Sequence, residues 1–238
     1  MKNLYYDVVI AGCGVAGLYA ALNLPEEMNI LMLSKKDLES CDSMLAQGGI
    51  CVLRDESDYD SYFEDTMRAG HYENNKKAVD LMLRSSNSII RDLLTREVDF
   101  ERNEKGDLEF TREGAHSQPR ILFHEDITGK EITSKLLAQV KKLNNVTIYE
   151  YTTMTDVIEE NGRCSGIIAE NSKGRLIIHA ADTILASGGI GGRYKHSTNF
   201  PHLTGDALEI AGKHGIRMEH LDYCLLYTSP SPRDKRQS

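Results

Sequence analysis

The sequence predicts an α/β fold of the Rossmann type, a parallel sheet with a β-meander crossover, and three observations carry that prediction. An apolar run at residues 6–11 leads into Gly12-x-Gly14-x-x-Gly17 and then into the helix-forming Leu18-Tyr-Ala-Ala-Leu22. Alternating apolar and polar runs between residues 152 and 179 are joined by Asn161-Gly162 and Ser172-Lys-Gly174, which are hairpin signals. A last apolar strand at residues 183–186 enters a second glycine turn, Ser187-Gly-Gly-Ile-Gly-Gly192.

The first element is the most specific. In the order strand, glycine turn, helix, Gly12 permits a tight turn, Gly14 lets backbone approach a pyrophosphate, and Gly17 allows the helix to pack close on the strand. The helix N-terminus then faces the phosphates of a dinucleotide. A second strand at residues 29–33 ends in Ser34-Lys35-Lys36, where an acid that binds a ribose 2′-hydroxyl would ordinarily stand. This ending leaves two cofactors open, a nicotinamide dinucleotide with a 2′-phosphate or a flavin dinucleotide whose adenosine end meets a hydroxyl and a lysine.

Residues 37–56 hold a small-residue centre, Ala46-Gln47-Gly48-Gly49-Ile50. Helices are expected at residues 59–69 and 76–96, the second with Val79, Leu83, Ile90, Leu93 and Leu94 at helical spacing. Residues 98–110 carry strand and turn signals around Glu104-Lys-Gly106-Asp107, residues 111–129 read as a loop rich in functional side chains, and 130–143 return to helix. A short buried strand is expected at 146–149, then three antiparallel strands at 152–159, 164–170 and 176–179, then a separate central strand at 183–186. A simple nicotinamide dehydrogenase would continue strand-helix-strand to a sixth strand, so the meander favours FAD over a nicotinamide cofactor.

The chain has 238 residues, 40% of them hydrophobic, enough for a substantial core. Its net charge of −8 argues against a general nucleic-acid binder, and no stretch reaches the ~20 apolar residues that cross a bilayer. Five cysteines, Cys13, Cys41, Cys51, Cys164 and Cys224, contain no Cys-x-x-Cys pair. That spacing gives neither a metal site nor a disulfide framework and fits a reducing cytoplasm. Cys13 between two turn glycines reads as a steric choice, not a redox one.

Three further segments carry a family resemblance. Asp42-Ser-Met-Leu-Ala-Gln-Gly-Gly-Ile50 resembles the flavin loop of the fumarate reductase and succinate dehydrogenase flavoprotein superfamily. Thr111-Arg-Glu-Gly-Ala-His-Ser117, with Arg120-Ile-Leu and Asp126-x-Thr-Gly129, is similar to a loop of the L-aspartate oxidase family within it. Leu185-Ala-Ser-Gly-Gly189, Thr198-Asn199 and Gly205-Asp206-Ala207 resemble the second flavin-contacting segment. The resemblance runs collinearly from residue 6 to residue 223 and implies a Rossmann-like FAD-binding domain over residues 1–223.

The resemblance also implies roles. The backbone of Gly12, Cys13, Gly14, Val15, Ala16 and Gly17 would hold the pyrophosphate, with Ser34 and Lys35 at the adenosine ribose. Asp42, Ser43, Met44, Leu45, Ala46, Gln47, Gly48 and Gly49 would wrap the ribityl chain and the ring. Thr153 and Met154 match a strand end whose main chain meets adenine, and Asp206 matches an acid near the flavin. Asp42 stands where succinate dehydrogenase-type proteins carry a flavin-linked histidine, so the FAD is expected to be non-covalent. Glu113 would face the substrate's amino group as the catalytic-site carboxylate, whereas His116 and His124 read as structural hydrogen-bonding groups.

The reaction implied is oxidation of L-aspartate to iminoaspartate with dioxygen or fumarate as acceptor, the first step of quinolinate and NAD synthesis, with a quinolinate synthase as partner. Family members continue after a strand expected at residues 216–222 into a capping domain and a return to the flavin domain. Here residues 224–238 shift to prolines, serines and charges and read as a non-native tail. On this reading the capping domain is absent through truncation, and the chain itself is expected to be inactive. The rival readings are a fumarate reductase or succinate dehydrogenase subunit, a non-catalytic flavin-binding fragment, and a nicotinamide-dependent dehydrogenase.

Overall fold

A computed structural model describes residues 2–219 and 221. The chain divides into two compact units, one drawn from Met1–Asp42 and Gln139–Ser238, the other Ser43–Ala138.

The first unit is built on a six-stranded sheet. Its strands are β1 (Lys2–Ala11), β2 (Ile30–Leu33), β5 (Val146–Tyr149), β6 (Thr153–Glu160), β7 (Arg163–Asn171) and β8 (Gly174–Leu185), in the order β5-β2-β1-β8-β7-β6. β5, β2, β1 and β8 run parallel, and β7 and β6 are antiparallel additions. The burial of β1 explains its composition. Residues 2–7 alternate in exposure, while Val8, Val9, Ile10 and Ala11 are all buried, as a central parallel strand covered on both faces requires. The glycine turn follows, then helix α1 (Val15–Asn23), with Leu18 and Ala21 buried.

The β6–β7 hairpin turns on Asn161 and Gly162, both at positive φ (54° and 74°), the geometry of a type I′ turn and the reason for an Asn-Gly pair. Val9, Leu31, Leu33, Met154, Ile167, Ile178 and, from helix α6 (Asp206–Lys213), Ile210 share one core cluster.

The sequence expectation of separate strands at 176–179 and 183–186 is corrected: β8 is one strand of 12 residues. Its first half closes the meander against β7 (Gly166↔His179 to Asn171↔Gly174), and its whole length pairs with β1, from Lys2↔Leu176 to Ala11↔Leu185. Ala180-Ala181-Asp182 looks like a break in sequence, but backbone hydrogen bonding carries it through. For the same reason β1 begins at Lys2 rather than at residue 6. Residues 216–219, expected as a strand, are not in one; residues 220 and 222–238, including the tail, lie outside the described residues.

The second unit contains a short helix α2 (Asp42–Leu45) at its entry, β3 (Ile50–Cys51), helices α3 (Tyr59–Ala69) and α4 (Lys76–Thr95), β4 (Ile121–Leu122) and the start of α5 (Thr128–Val140). Asn75 caps α4 by accepting hydrogen bonds from the amides of Lys77 (3.0 Å) and Ala78 (3.2 Å), which fixes its first turn. Val79 and Leu83 on the inward face of α4 pack with Leu53, Tyr62 and Met67. Residues 98–110 hold an isolated bridge, Arg102↔Leu108, in place of a strand pair, and α5 starts two residues earlier than expected.

Candidate functional site

In an open parallel sheet, ligands bind outside the carboxyl ends of the strands where the order of connection reverses. Here that point lies between β1 and β8: the chain leaves β1 toward β2 and β5, while β8 lies on the other side of β1. Both strands end in glycine turns, so the two glycine segments are neighbours at the middle of the sheet. Ala186 N donates to Ala11 O (2.9 Å) and Gly12 N donates to Leu33 O (2.9 Å), drawing the three strand ends together.

The turn has no room for side chains at two of its glycines. Gly12 has φ +123°, and a Cβ there would lie 2.1 Å from Ala186 O; a Cβ on Gly17 would lie 2.0 Å from Gly12 O. Gly14 caps α1 in an extended conformation with no side-chain hydrogen bond to the cap. Cys13 is buried, and burial first, then Cys41 and Glu150, pushes its thiol up to about 12, so it is a protonated filler between the glycines.

The end of β2 adjoins the first glycine turn. Ser34 is buried; its N–H donates to Tyr149 O (2.9 Å) and its carbonyl accepts from Thr152 N (2.8 Å), which places Thr153 and Met154 beside it. The Met154 side chain belongs to the core. Lys35 reaches from the end of β2 to the first turn of α6: its Nζ donates to Thr204 Oγ1 (2.8 Å) and to Asp206 Oδ2 (2.8 Å) and Oδ1 (3.0 Å). Lys35 and Asp206, distant in sequence and read there with separate roles, therefore form one ion pair.

Asp42 is also engaged. Its carboxylate accepts hydrogen bonds from the Asn199 side-chain amide and from Phe200 N (3.0 Å), while His202 Nε2 contacts Ser40 O (2.9 Å). Thus residues 40–42 are tied to 199–202, a link that the spacing in sequence could not reveal.

Within the second unit, residues 45–49 are exposed, and the turn is held from behind. Gly129 N donates to Ala46 O (2.8 Å), Ser134 Oγ contacts Met44 S (3.7 Å), and a Cβ on Gly129 would meet Ser43 O at 2.2 Å. Gly49, at φ +83°, leaves its place against Leu122 O, which a Cβ would approach to 2.5 Å. Gly48 is different: nothing in the protein lies within 4 Å of where its Cβ would be. Its lack of a side chain is not required by packing among the described residues. These contacts involve Ser43, Met44 and Ala46, and Leu45, Gln47 and Gly48 adjoin them in the chain, exposed.

Glu113 is exposed on the loop between Thr111 and Ile121, which a bridge closes through Thr111 N to Ile121 O (2.9 Å). Beneath the loop lies a charged network that the sequence did not announce. Arg120 is 0% exposed and donates to Asp58 (3.0 and 2.7 Å), Asp65 (2.7 Å) and Ser61 (2.6 Å), with the Tyr62 ring 4.9 Å away. Burial alone would raise Asp65, but hydrogen bonds from Ser117 and Arg120 outweigh it and bring its carboxyl down to about 2. His116 Nδ1 lies 3.2 Å from Arg120 Nη1, and its Nε2 lies 3.3 Å from Cys51 Sγ. Because Arg120 can only donate, Nδ1 accepts and the proton sits on Nε2. Burial, reinforced by the Arg120 charge, holds His116 below its ordinary value, which makes it a neutral hydrogen-bonding group. A cavity of about 460 Å³ beside α3 and α4 is lined mainly by apolar side chains such as Met82, Ile89 and Ile90, and Asp65 is its one charged lining group. Its apolar lining is unsuited to phosphates.

Comparison with known proteins agrees with this geometry. The chain is 44% identical to the L-aspartate oxidase of Clostridium perfringens over 93% of its own length and 50% of the relative's. It is 35% identical to that of Bacillus subtilis over 91% and 41% respectively, so it spans about half, or less, of these relatives. Among solved structures, the Mycobacterium smegmatis Sdh1 complex superposes with a TM-score of 0.82 at 26% identity, covering 89% of this chain and 39% of that one. Escherichia coli quinol fumarate reductase FrdA superposes with a TM-score of 0.86, covering 90% and 38%; at 24% identity it shows the fold alone. A family model described as the FAD binding domain matches residues 7–236, and the chain belongs to that family.

Proposed function

We propose that this chain is the FAD-binding part of an enzyme that oxidises L-aspartate to iminoaspartate, with dioxygen or fumarate as the final acceptor. The observation that carries the reading is the pair of glycine turns packed together at the β1/β8 switch point, in a chain 44% identical to an L-aspartate oxidase over 93% of its length. When bound, FAD supplies the two-electron oxidant for the Cα–N bond.

The residues of this chain hold and orient. Amides of Cys13, Gly14, Val15, Ala16 and Gly17 at the start of α1 would bind the pyrophosphate, where the helix dipole favours negative charge. Ser34, Lys35 and the main chain of Thr153 and Met154 would receive the adenosine end, with Asp206 drawn to the site through Lys35. The turn from Asp42 to Gly49 would support the ribityl chain and ring, and Gly48 would give the ring bare backbone to lie on. Asp42, whose carboxylate already serves Asn199 and Phe200, cannot form a histidyl bond, which supports dissociable FAD. Glu113 would attract the substrate's ammonium, a group that succinate lacks. Since the imine product hydrolyses in water, a quinolinate synthase that consumes it is the partner this chemistry favours.

Among the described residues no helix is long and apolar enough to cross a membrane. We place the enzyme in the cytoplasm, in keeping with five cysteines that contain no Cys-x-x-Cys pair. The test uses the full-length protein: yellow colour released by acid denaturation, with peroxide formed from L-aspartate and none from succinate, is expected. Turnover of succinate in preference to L-aspartate would move the protein to the fumarate reductase reading, and a yellow protein inert toward both would make it a flavin carrier.

A further inference from the structure

Glu113 sits on a loop whose shape is imposed from below. Asp65, 3% exposed on α3, accepts two hydrogen bonds on one oxygen from Ser117, through N (2.7 Å) and Oγ (2.7 Å), and a third from Arg120 Nη1 (2.7 Å). Its other oxygen accepts from Arg68 Nη2 (2.6 Å). Arg120 also contacts His116, whose N–H donates back to Glu113 O (3.3 Å). The loop is therefore gripped at His116 and Ser117, three and four residues after Glu113. Ala115, between grip and carboxylate, is held at φ +68°, a left-handed conformation that a non-glycine residue keeps only when its surroundings dictate it.

We infer that Asp65 and Ser117 are positioning residues for Glu113: the buried Arg120–Asp65 pair fixes Ser117, and Ser117 with His116 sets where the Glu113 carboxylate meets the substrate's ammonium. The inference rests on the proposed reading of Glu113 and adds the means by which an exposed carboxylate acquires a defined position. An unanchored loop would let Glu113 wander, and the ordering cost would fall on substrate binding. Only ligands carrying an amino group would feel this.

The experiment uses the full-length protein with FAD bound. Ser117→Ala removes the hydroxyl bond to Asp65 and keeps the amide bond, Ser117→Thr keeps a hydroxyl, and Glu113→Gln removes the proposed ammonium contact. A hydrogen bond to a charged group is worth roughly a tenfold change or more in an equilibrium constant. S117A is expected to raise KM for L-aspartate about tenfold with kcat nearly unchanged, leaving the inhibition constant of succinate and the flavin absorbance spectrum as in wild type. S117T is expected to recover most of the loss. In the double variant S117A/E113Q, the Ser117 change should add nothing further, because its effect runs through Glu113.

A parallel weakening of L-aspartate and succinate, no change in either, or full additivity with E113Q would overturn the inference while leaving the Glu113 reading intact. An E113Q variant with wild-type KM for L-aspartate would instead refute the Glu113 reading itself, and the positioning role with it. Thermal melts of each variant separate loss of fold from loss of position.

Discussion

Replacing Gly12 with alanine tests the proximity of the two glycine turns. The added Cβ would lie 2.1 Å from Ala186 O and 2.5 Å from Ala186 C, both backbone atoms at the end of β8, so no rotamer change can relieve it. The strand ends must part by roughly an ångström, an overpacking that costs about 1–3 kcal/mol. The φ of +123° adds about 1–2 kcal/mol of strain for an L-residue. The hydrogen bonds Gly12 N to Leu33 O and Ala186 N to Ala11 O lie on the same hinge, and weakening them costs about 1 kcal/mol more. The total, about 3–6 kcal/mol, is a large fraction of the ~5–15 kcal/mol that stabilises a domain. With a urea slope of about 2–3 kcal/mol/M, the unfolding midpoint of the 238-residue chain, followed by far-UV circular dichroism, should fall by between about 1 and 3 M. Gly48→Ala is the control: its Cβ meets nothing within 4 Å, so the midpoint should hold while FAD affinity drops. A G12A midpoint equal to wild type, or a G48A midpoint that falls as far as G12A, would mean that the two glycine turns are not held in backbone contact.

Other expectations follow from the charged groups. Arg120→Met leaves buried Asp58 without its cation and Asp65 with Arg68 alone, and should cost about 3–5 kcal/mol, measured by urea unfolding at neutral pH. Asp65 is depressed from 3.8 to about 2, so its contribution is complete above pH ~4 and disappears as pH falls toward 2. Acid titration of stability should show that loss, about 2 kcal/mol for this group, and Asp65→Asn should remove it from the profile. His214, raised by hydrogen bonds to Asp156 and Glu159, acts with the opposite sign: it stabilises below its ordinary value of 6.5 and the benefit is lost as pH rises through the raised value. An NMR titration of His214 should show an upward shift that Asp156→Asn reduces. Lys35→Met removes the cation that holds Asp206 and should weaken FAD binding at least about tenfold by fluorescence titration, with a larger loss at low salt than at high salt.

Local signals were legible in the sequence and tertiary ones were not. The strand, glycine turn and helix at residues 6–22 could be read because one short window contains the whole device, and Asn161-Gly162 named its own turn type. The continuity of β8 was hidden because Ala180-Ala181-Asp182 interrupts the apolar pattern, while the ladder to β1 depends only on backbone. The grip on the Glu113 loop joins Asp65 to Ser117 and Arg120 across 52 and 55 residues, and a lone aspartate on an amphipathic helix carries no mark of such a partner. The Lys35–Asp206 pair spans 171 residues, so the two could be placed near one cofactor by family resemblance but not joined to each other.

The double duty of β8 has a consequence for how the protein comes into being on the ribosome. β1 is made first, yet its partner on one side, residues 174–185, emerges only after most of the chain has been translated. Until then the apolar end of β1, Val8 to Ala11, has an open edge and no cover on that flank, the kind of surface that recruits wrong neighbours. Such long-range pairing is slow to nucleate, so folding yield should depend on chaperone supply and on translation rate across the β6–β8 segment.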